Sequence, residues 1–339
     1  MKFVKMLLTT LKGVTIMNKT FLSKSNYCSA VQCEKILWLT KNKPKILKTK
    51  NNDSIMEVGR EVGELAKGLF GDYEDVPSDD ELNSRVNKTA ELMRNKPNII
   101  TEASFFYNNN FCSVDILKND SDGLEIYEVK SSTKLKDINL DDPSYQYFVL
   151  SNLGLNVKKV CVVYINNKYI RGKELDINQL FNVEDITDIA KEKQDEIRDN
   201  IDLINDFMQS HDAENEPVKE LGNYCFKPYP CDFWDYCTRD LPKPNVFDIM
   251  GRMQIRTKLK KYNEGKISFE DLENENLNPK YLEQIDFELN VFDKEVKARL
   301  NKYKEVDEVS FMGYFTKNNN EHVRMIQKLK REGKWFTYN

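Results

Sequence analysis

Two neighbouring segments of the chain carry charged side chains whose types and spacing suit phosphodiester hydrolysis. Residues 113–117 contain Asp115, and residues 125–130 contain Glu128 and Lys130. Side chains alternate between the faces of a strand, so Glu128 and Lys130 share one face, and strand pairing would bring Asp115 close to it. Two adjacent carboxylates repel each other unless a cation lies between them, and such hard oxygen ligands suit Mg²⁺ or Mn²⁺. A lysine beside the ion could orient or help deprotonate a water, while the ion polarises the phosphate.

The alternative interpretation is an ordinary strand on which Glu128 and Lys130 form a solvated ion pair. Two features favour a site. Asp115 lies one hairpin earlier, at the end of an apolar strand, and a helix that carries Gln146 follows.

The second chemical feature is a set of three cysteines at equal spacings of six, Cys225, Cys231 and Cys237, among aromatic residues and prolines. Structural zinc sites usually contain a closer cysteine pair, whereas an iron–sulfur cluster tolerates wider spacing. Three ligands leave one position open, for which Cys33 is the natural candidate. The alternatives are buried small hydrophobic residues and a zinc–thiolate site. Cys112 and Cys161 are expected to be core residues.

Hydrophobic periodicity predicts the elements that hold these residues in place. The sequence predicts helices at 54–69, 84–93, 144–153 and 185–209, and an acidic loop at 72–81. It predicts strands at 99–102, 105–107, 111–117, 124–129 and 159–165, followed by 169–171. A basic helical stretch is predicted at 246–262, and it includes Arg252, Arg256, Lys258, Lys260 and Lys261. This order predicts an α/β fold, with a mixed sheet flanked by helices.

Asp115 with Glu128-Val129-Lys130 resembles the catalytic motif of RecB-type nucleases in the PD-(D/E)XK superfamily. The resemblance implies a restriction-endonuclease-like core, a Mg²⁺- or Mn²⁺-dependent phosphodiesterase, and the Val129 carbonyl as a further ligand. Gln146 and Tyr147 resemble the glutamine–tyrosine helix that contacts the DNA backbone in these enzymes.

Many relatives also supply a histidine from the helix before the sheet, four residues after a glycine. Here Gly59 is followed by Gly63 at that position, and Glu64 is the replacement candidate for this metal ligand. The alternatives are that Glu64 is a surface charge and that the two glycines allow close packing against the sheet.

The cysteines resemble those of the iron–sulfur branch of RecB-like nucleases, found in AddB-type subunits and CRISPR-associated adaptation exonucleases. In that branch one N-terminal and three C-terminal cysteines hold a 4Fe–4S cluster, and Cys33 fits the N-terminal position better than Cys28. The relatives imply a role in DNA repair or defence. Longer relatives continue into a second exonuclease domain that opens with an Asp-x-Glu strand. Nothing of that form follows Leu300, so this second activity is not predicted.

Composition limits the remaining possibilities. A chain of 339 residues, 40% hydrophobic and 31% charged, is expected to form about two domains with a packed core and to have no membrane span or membrane partner. Two histidines cannot build a multi-histidine zinc or di-iron site. Seven cysteines, an odd number, indicate reduced thiols in a cytoplasmic protein. The expected organisation is a leader at 1–20 with Met17 as an alternative start, a nuclease domain at 21–240, and a helical extension at 241–339 with a shortened second module as the alternative.

The net charge is −4, so any surface that binds nucleic acid must be local. Residues 21–50 are rich in lysine, and we expect Lys41, Lys43 and Lys45 to contact phosphates; a solvated loop is the alternative. The sequence therefore predicts a metal-dependent DNA nuclease, an exonuclease on single strands or ends, with a structural 4Fe–4S cluster. The competing hypothesis is a nucleic-acid-binding or assembly subunit that keeps the fold and the cluster without cleaving.

Overall fold

A computed structural model describes residues 20–47, 53–78, 80–95 and 97–291. The chain divides into two compact units. The first comprises Met1–Glu220 and Tyr224–Phe233, and the second comprises Leu221–Asn223 and Trp234–Asn339, each in its described parts. Almost all of the predicted leader and the end of the predicted extension lie outside the described residues, as do Lys48 and Lys50 of the lysine-rich segment.

The first unit is an α/β structure, which confirms the predicted class. Its strands are β1 (Leu22–Ser23), β2 (Glu74–Asp75), β3 (Ile99–Tyr107), β4 (Asn110–Asp120), β5 (Gly123–Lys130), β6 (Val157–Ile165) and β7 (Phe181–Asp185). Its helices are α1 (Lys24–Gln32), α2 (Glu34–Asn42), α3 (Asp53–Lys67), α4 (Leu82–Asn95), α5 (Asp141–Asn152), α6 (Ile177–Leu180), α7 (Thr187–Glu192) and α8 (Gln194–Ser210).

The sheet is mixed, as the sequence predicts. In the described residues it has seven strands, in the order β2-β3-β4-β5-β6-β7, with β1 paired to the start of β4. The β3–β4, β4–β5 and β6–β7 pairs are antiparallel, whereas β2–β3, β5–β6 and β1–β4 are parallel. The parallel β5–β6 pair requires a crossover, which α5 provides.

Helices cover both faces of the sheet. Alternation along β5 sends Ile126 into a larger core with residues of α1, α2, α4, α5, α7 and α8, and sends Tyr127 into a smaller core with residues of α3. The same alternation on β6 places Val162 in the larger core and Cys161 in the smaller one. The central strands are therefore buried on both sides, which explains their nearly continuous apolar sequences.

Several elements differ from the predictions. The lysine-rich segment is not a loop, because α1 and α2 occupy it and bury Trp38 completely. Residues 169–171 are not a strand; the chain instead pairs Phe181 with Ile165 at the start of β7. The single helix predicted at 185–209 is interrupted at Lys193. The helix predicted at 246–262 starts only after Gly251, whose φ of 90° a right-handed helix does not allow.

The second unit is helical over its described part. Its elements are α9 (Trp234–Cys237), a 3₁₀ turn (Val246–Asp248), α10 (Ile255–Asn263), α11 (Phe269–Leu272), α12 (Pro279–Asp286) and a final π-helical turn (Phe287–Val291). Its small core is built around Val246, Phe269 and Ile285. No helix among the described residues is long and apolar enough to cross a membrane.

Candidate functional site

The predicted carboxylates lie where the central strands separate. The β4–β5 ladder ends at the pair Ile116–Tyr127, so the next positions, Asp115 and Glu128, face each other without a backbone pair. The Asp115 carboxylate instead accepts a hydrogen bond from the Val129 N–H at 2.7 Å. The Asp115 side chain thus replaces a backbone carbonyl as the acceptor for this N–H, and the two strands are separated at the site.

The neighbouring strand is irregular at the same level. The β3–β4 ladder pairs the residues on either side of Glu102 and Asp115 but not these two, and Glu102 has a φ of 55°. Side-chain alternation also breaks here, because Val114 packs in the larger core and Ile116 in the smaller one. Glu102, Asp115 and Glu128 therefore stand in a row across β3, β4 and β5.

Glu128 is the centre of the site. Its side chain is 2% exposed, and three side chains donate to its two oxygens. Lys24 Nζ lies 2.7 Å and 3.0 Å from them, Lys130 Nζ lies 2.8 Å from Oε1, and Gln146 Nε2 lies 2.6 Å from Oε2. A carboxylate this buried needs such partners to stay ionised.

Lys130 is held between two carboxylates, because it also pairs with Asp142. Asp142 lies in the first turn of α5, where its other oxygen accepts a hydrogen bond from Cys28 Sγ at 3.1 Å. Asp142 was not among the residues predicted from the sequence. Its spacing of four residues from Gln146, which places both on one helix face, was the available signal.

Lys24 is the second lysine of the site, and from the sequence it was one basic residue among several in the lysine-rich segment 21–50. It is the first residue of α1, directly after Ser23, whose hydroxyl caps the helix by accepting from the Asn26 N–H at 3.1 Å. β1 fixes this point, because Leu22 is fully buried and pairs with Asn110. Lys24 and Glu128 are 104 residues apart, so no local pattern could have predicted their contact.

The charges are strongly coupled. Burial alone would raise the pKa of Glu128, but the attraction of Lys130 and Lys24 outweighs it and lowers this pKa to about 2. Burial and repulsion by Glu128 raise the pKa of Asp115 to about 7, although Lys24 acts in the opposite direction. Burial would lower the pKa of each lysine, and the surrounding carboxylates raise both pKa values above the ordinary range. Near neutral pH both lysines are cations, and Asp115 is less ionised than an ordinary aspartate.

Glu102 is a further acidic residue that the sequence analysis missed. Burial raises its pKa, against the attraction of Lys67, Arg85 and Lys24. Arg85 lies 3.8 Å from its carboxylate and also donates to the Ser113 hydroxyl at 2.6 Å. A single carboxylate within the mostly apolar strand β3 was the signal that could have found Glu102.

The predicted helix ligand Glu64 is not brought next to the central carboxylates. Its side chain is 67% exposed and pairs with Lys67 at 2.8 Å, and Lys67 in turn pairs with Asp75 at 3.0 Å. Close packing does not explain the nearby glycines, because a Cβ on Gly59 or Gly63 would meet nothing within 4 Å. The role of Glu64 as a ligand stays a prediction.

Gln146 is brought into the site, whereas Tyr147 has a packing role in the same helix. Gln146 is fully buried, and its Nε2 donates to the Ser113 carbonyl at 2.8 Å as well as to Glu128. Its Oε1 is buried without a hydrogen-bond partner among the described residues. Tyr147 is half-buried against the larger core.

The lysines predicted to bind phosphates differ in their surroundings. Lys43 pairs with Glu216 at 2.5 Å and lies 5.7 Å from the centre of the Trp38 ring. Lys41 and Lys45 are exposed. Part of the basic charge thus attaches α2 to the segment after α8, and DNA contact by the three lysines stays a prediction.

The chain segments around Cys33, Cys225 and Cys231, three of the four predicted cluster ligands, lie close together. The neighbours of Cys33 make the contacts: Gln32 donates to the carbonyls of Tyr224 and Tyr229 at 2.7 Å and 2.8 Å, and Glu34 pairs with Lys219. These partners lie close in sequence to Cys225 and Cys231, and the Cys231 N–H donates to the Cys225 carbonyl at 2.9 Å. Cys237 ends α9 in the second unit.

The other cysteines lie elsewhere. Cys28 faces Asp142 at the carboxylate site, which favours Cys33 as the N-terminal ligand. Cys112 and Cys161 are fully buried on strands, which confirms them as core residues. Among the described residues, no group of three or more histidine, cysteine or carboxylate side chains is arranged to hold a metal ion. The central pair, Asp115 and Glu128, supplies two carboxylate side chains.

Comparison of the chain with models of protein families and with curated proteins finds no match.

Proposed function

We propose that this protein is a metal-dependent nuclease that hydrolyses phosphodiester bonds in DNA on a PD-(D/E)XK core of the RecB type. The observation that carries the proposal is the pair of carboxylates at the point where β4 and β5 separate. Asp115 and Glu128 face each other there, and Lys130 contacts the second of them. The strands are unpaired at this point, and a half-buried and a buried carboxylate lie next to each other in the middle of the sheet, which an ordinary structural ion pair would not require.

The donor set fits a hard divalent cation. Asp115 and Glu128 supply carboxylate oxygens, and the Val129 carbonyl is the third candidate ligand. Glu128 already pairs with one cation, the ammonium group of Lys24. When bound, Mg²⁺ or Mn²⁺ would polarise the phosphate and activate a water. Glu64 remains the candidate for a further ligand from the preceding helix.

The protein's own side chains then position the reacting groups. Lys130 is protonated and fixed between Glu128 and Asp142, so its remaining donor capacity can orient a water or a phosphate oxygen. Gln146 fixes the Glu128 carboxylate by its hydrogen bond, and its Oε1 has no hydrogen-bond partner within the described part of the chain. Tyr147, on the same helix, is proposed to contact the nucleic-acid backbone.

We also propose a structural 4Fe–4S cluster bound by Cys33, Cys225, Cys231 and Cys237. The contacts of Gln32 and Glu34 support it, because they join the chain around the first cysteine to the segment of the second and third. The cluster would act as a staple between the N-terminal helices and the C-terminal end of the nuclease core.

The proposed substrate is single-stranded DNA or DNA ends, bound through Lys41, Lys43 and Lys45. Binding by these lysines releases counterions from the phosphates, so affinity should fall steeply with salt. One observation favours a second candidate function, a nucleic-acid-binding subunit that does not cleave. Lys24 pairs with both Glu128 oxygens, which are the atoms that a metal ion would need.

A nuclease assay with matched variants tests the proposal. Single-stranded and double-stranded DNA are incubated with the protein and Mg²⁺ or Mn²⁺, and Glu128→Gln and Lys130→Ala are expected to abolish cleavage while DNA binding persists. Glu125→Gln is the control, because Glu125 lies on the same strand but its carboxylate pairs with Tyr127 and Lys158, away from the site. Retention of DNA by the unaltered protein without any cleavage would support the binding subunit instead.

A further inference from the structure

The ammonium group of Lys24 pairs with the carboxylate of Glu128, whose oxygens a metal ion would need. It contacts both Glu128 oxygens, at 2.7 Å and 3.0 Å, and its charge also acts on Asp115 and Asp142. One cation therefore reaches the proposed ligand Glu128 from the side of α1. Lys130 approaches Glu128 through one oxygen only.

Helix stability does not account for a lysine at this position. Lys24 is the first residue of α1, where the positive end of the helix dipole disfavours a cation, and the first turn contains no acidic residue to offset it. The side chain is also 80% shielded from solvent, which costs hydration free energy. The carboxylates of the neighbouring strands are what hold the charge in place.

The backbone around Lys24 is fixed while its side chain can move. Leu22 is fully buried and its carbonyl accepts a hydrogen bond from the Tyr145 hydroxyl at 2.9 Å. Beyond the backbone, a lysine carries its charge on a flexible four-carbon stem. One-fifth of the side chain is exposed to solvent, so its neighbours do not enclose it completely.

We propose that Lys24 is an internal cation that competes with the divalent metal ion. In the metal-free protein it pairs with Glu128 and offsets the charge of this carboxylate, and it must withdraw before Glu128 and Asp115 can bind an ion together. Lys24 therefore sets the metal concentration at which the site fills, so the nuclease is latent when divalent ions are scarce. This inference rests on the proposed metal-dependent function and adds its regulation.

The test is Mn²⁺ binding by the full chain without DNA, measured by isothermal titration and by the electron paramagnetic resonance signal of free Mn²⁺. Lys24→Met removes the charge at similar side-chain length. It is expected to bind Mn²⁺ at least about tenfold more tightly, because the metal ion no longer competes with a cation for Glu128; this factor is smaller than the full interaction between two charges in contact. Its metal-free form should also melt at a lower temperature than the unaltered protein, and Mn²⁺ should reverse this loss.

Two further variants make the result specific. Lys24→Gln keeps a donor to Glu128 without the charge, and it should tighten Mn²⁺ binding as Lys24→Met does, even if the latter folds poorly. Lys67→Met removes one charge near Glu102 but none that contacts Glu128, so it should change Mn²⁺ affinity much less. Equal Mn²⁺ affinity of the Lys24 variants and the unaltered protein, or an equal gain in Lys67→Met, overturns the inference alone. Absence of Mn²⁺ binding in every variant overturns the proposed function as well.

Discussion

Replacing Asp115 by asparagine is expected to stabilise the metal-free protein, although most substitutions of buried polar residues destabilise. Asp115 is half-buried beside Glu128, and burial together with repulsion by Glu128 raises its pKa, so the ionised form is disfavoured in the folded state. Asparagine removes the charge but keeps an oxygen that can accept the hydrogen bond of the Val129 N–H. The stabilisation should therefore appear wherever Asp115 would otherwise be ionised.

The magnitude follows from the pKa. An aspartate at its ordinary pKa of 3.8 is ionised in the unfolded chain at a pH where Asp115, with a pKa of about 7, still holds its proton. Because the folded-state pKa is raised, the unaltered protein loses stability as the pH rises from about 4 to about 7. At about 1.4 kcal/mol per pKa unit, the full loss is about 4 kcal/mol above pH 7 and about 1.5 kcal/mol at pH 5. The lowered pKa of Glu128 acts only at more acid pH.

The assay is urea unfolding in the presence of EDTA at pH 5 and pH 8, followed by circular dichroism. The advantage of Asp115→Asn should grow by about 2–3 kcal/mol between these two pH values. Asp120→Asn is the control on the same strand; it removes ion pairs of 3.4 Å and 3.2 Å with Lys118 and Lys158 and should give no such gain. An advantage for Asp115→Asn that is absent, or the same at both pH values, would refute this account of the site's electrostatics.

Two further substitutions test how the site is supported. Tyr145→Phe should lower the free energy of unfolding in urea by about 1–2 kcal/mol, because the buried Leu22 carbonyl and the Asn110 side chain lose the hydroxyl donor at 2.9 Å and 3.1 Å. Tyr147→Phe is the control, and an equal effect of the two substitutions would contradict the role of this contact. Gly63→Ala should raise stability by about 0.5–1 kcal/mol, since alanine favours the helix and its Cβ meets open space; a lower melting temperature would mean that the space is needed.

Much of the α/β core was predictable because its signals are local. Turn residues and apolar runs predict β4, β5 and β6, which are present, with Asp115 and Glu128 on adjacent strands as the hairpin requires. The two strands predicted at 99–102 and 105–107 form the single strand β3. The helix of Gln146 also follows from local spacing. The N-terminal helices were missed, because Lys35, Lys41 and Lys43 gave their segment the composition of a solvated loop. The burial of Trp38, whose ring nitrogen donates to the carbonyls of residues 211 and 212, depends on a segment more than 170 residues away.

The sequence by itself determined which residues could do chemistry: two carboxylates and a lysine at strand spacing, a glutamine on the following helix, and four candidate cysteines. Only the tertiary structure decided what surrounds them. It brings Lys24 from a helix start to Glu128 and Asp142 from the first turn of α5 to Lys130, and it places Glu102 where the charge of Lys24 acts on it. The physical reason is that alternation and helical spacing act over a few residues, whereas the charge balance of a buried site depends on every element packed against it.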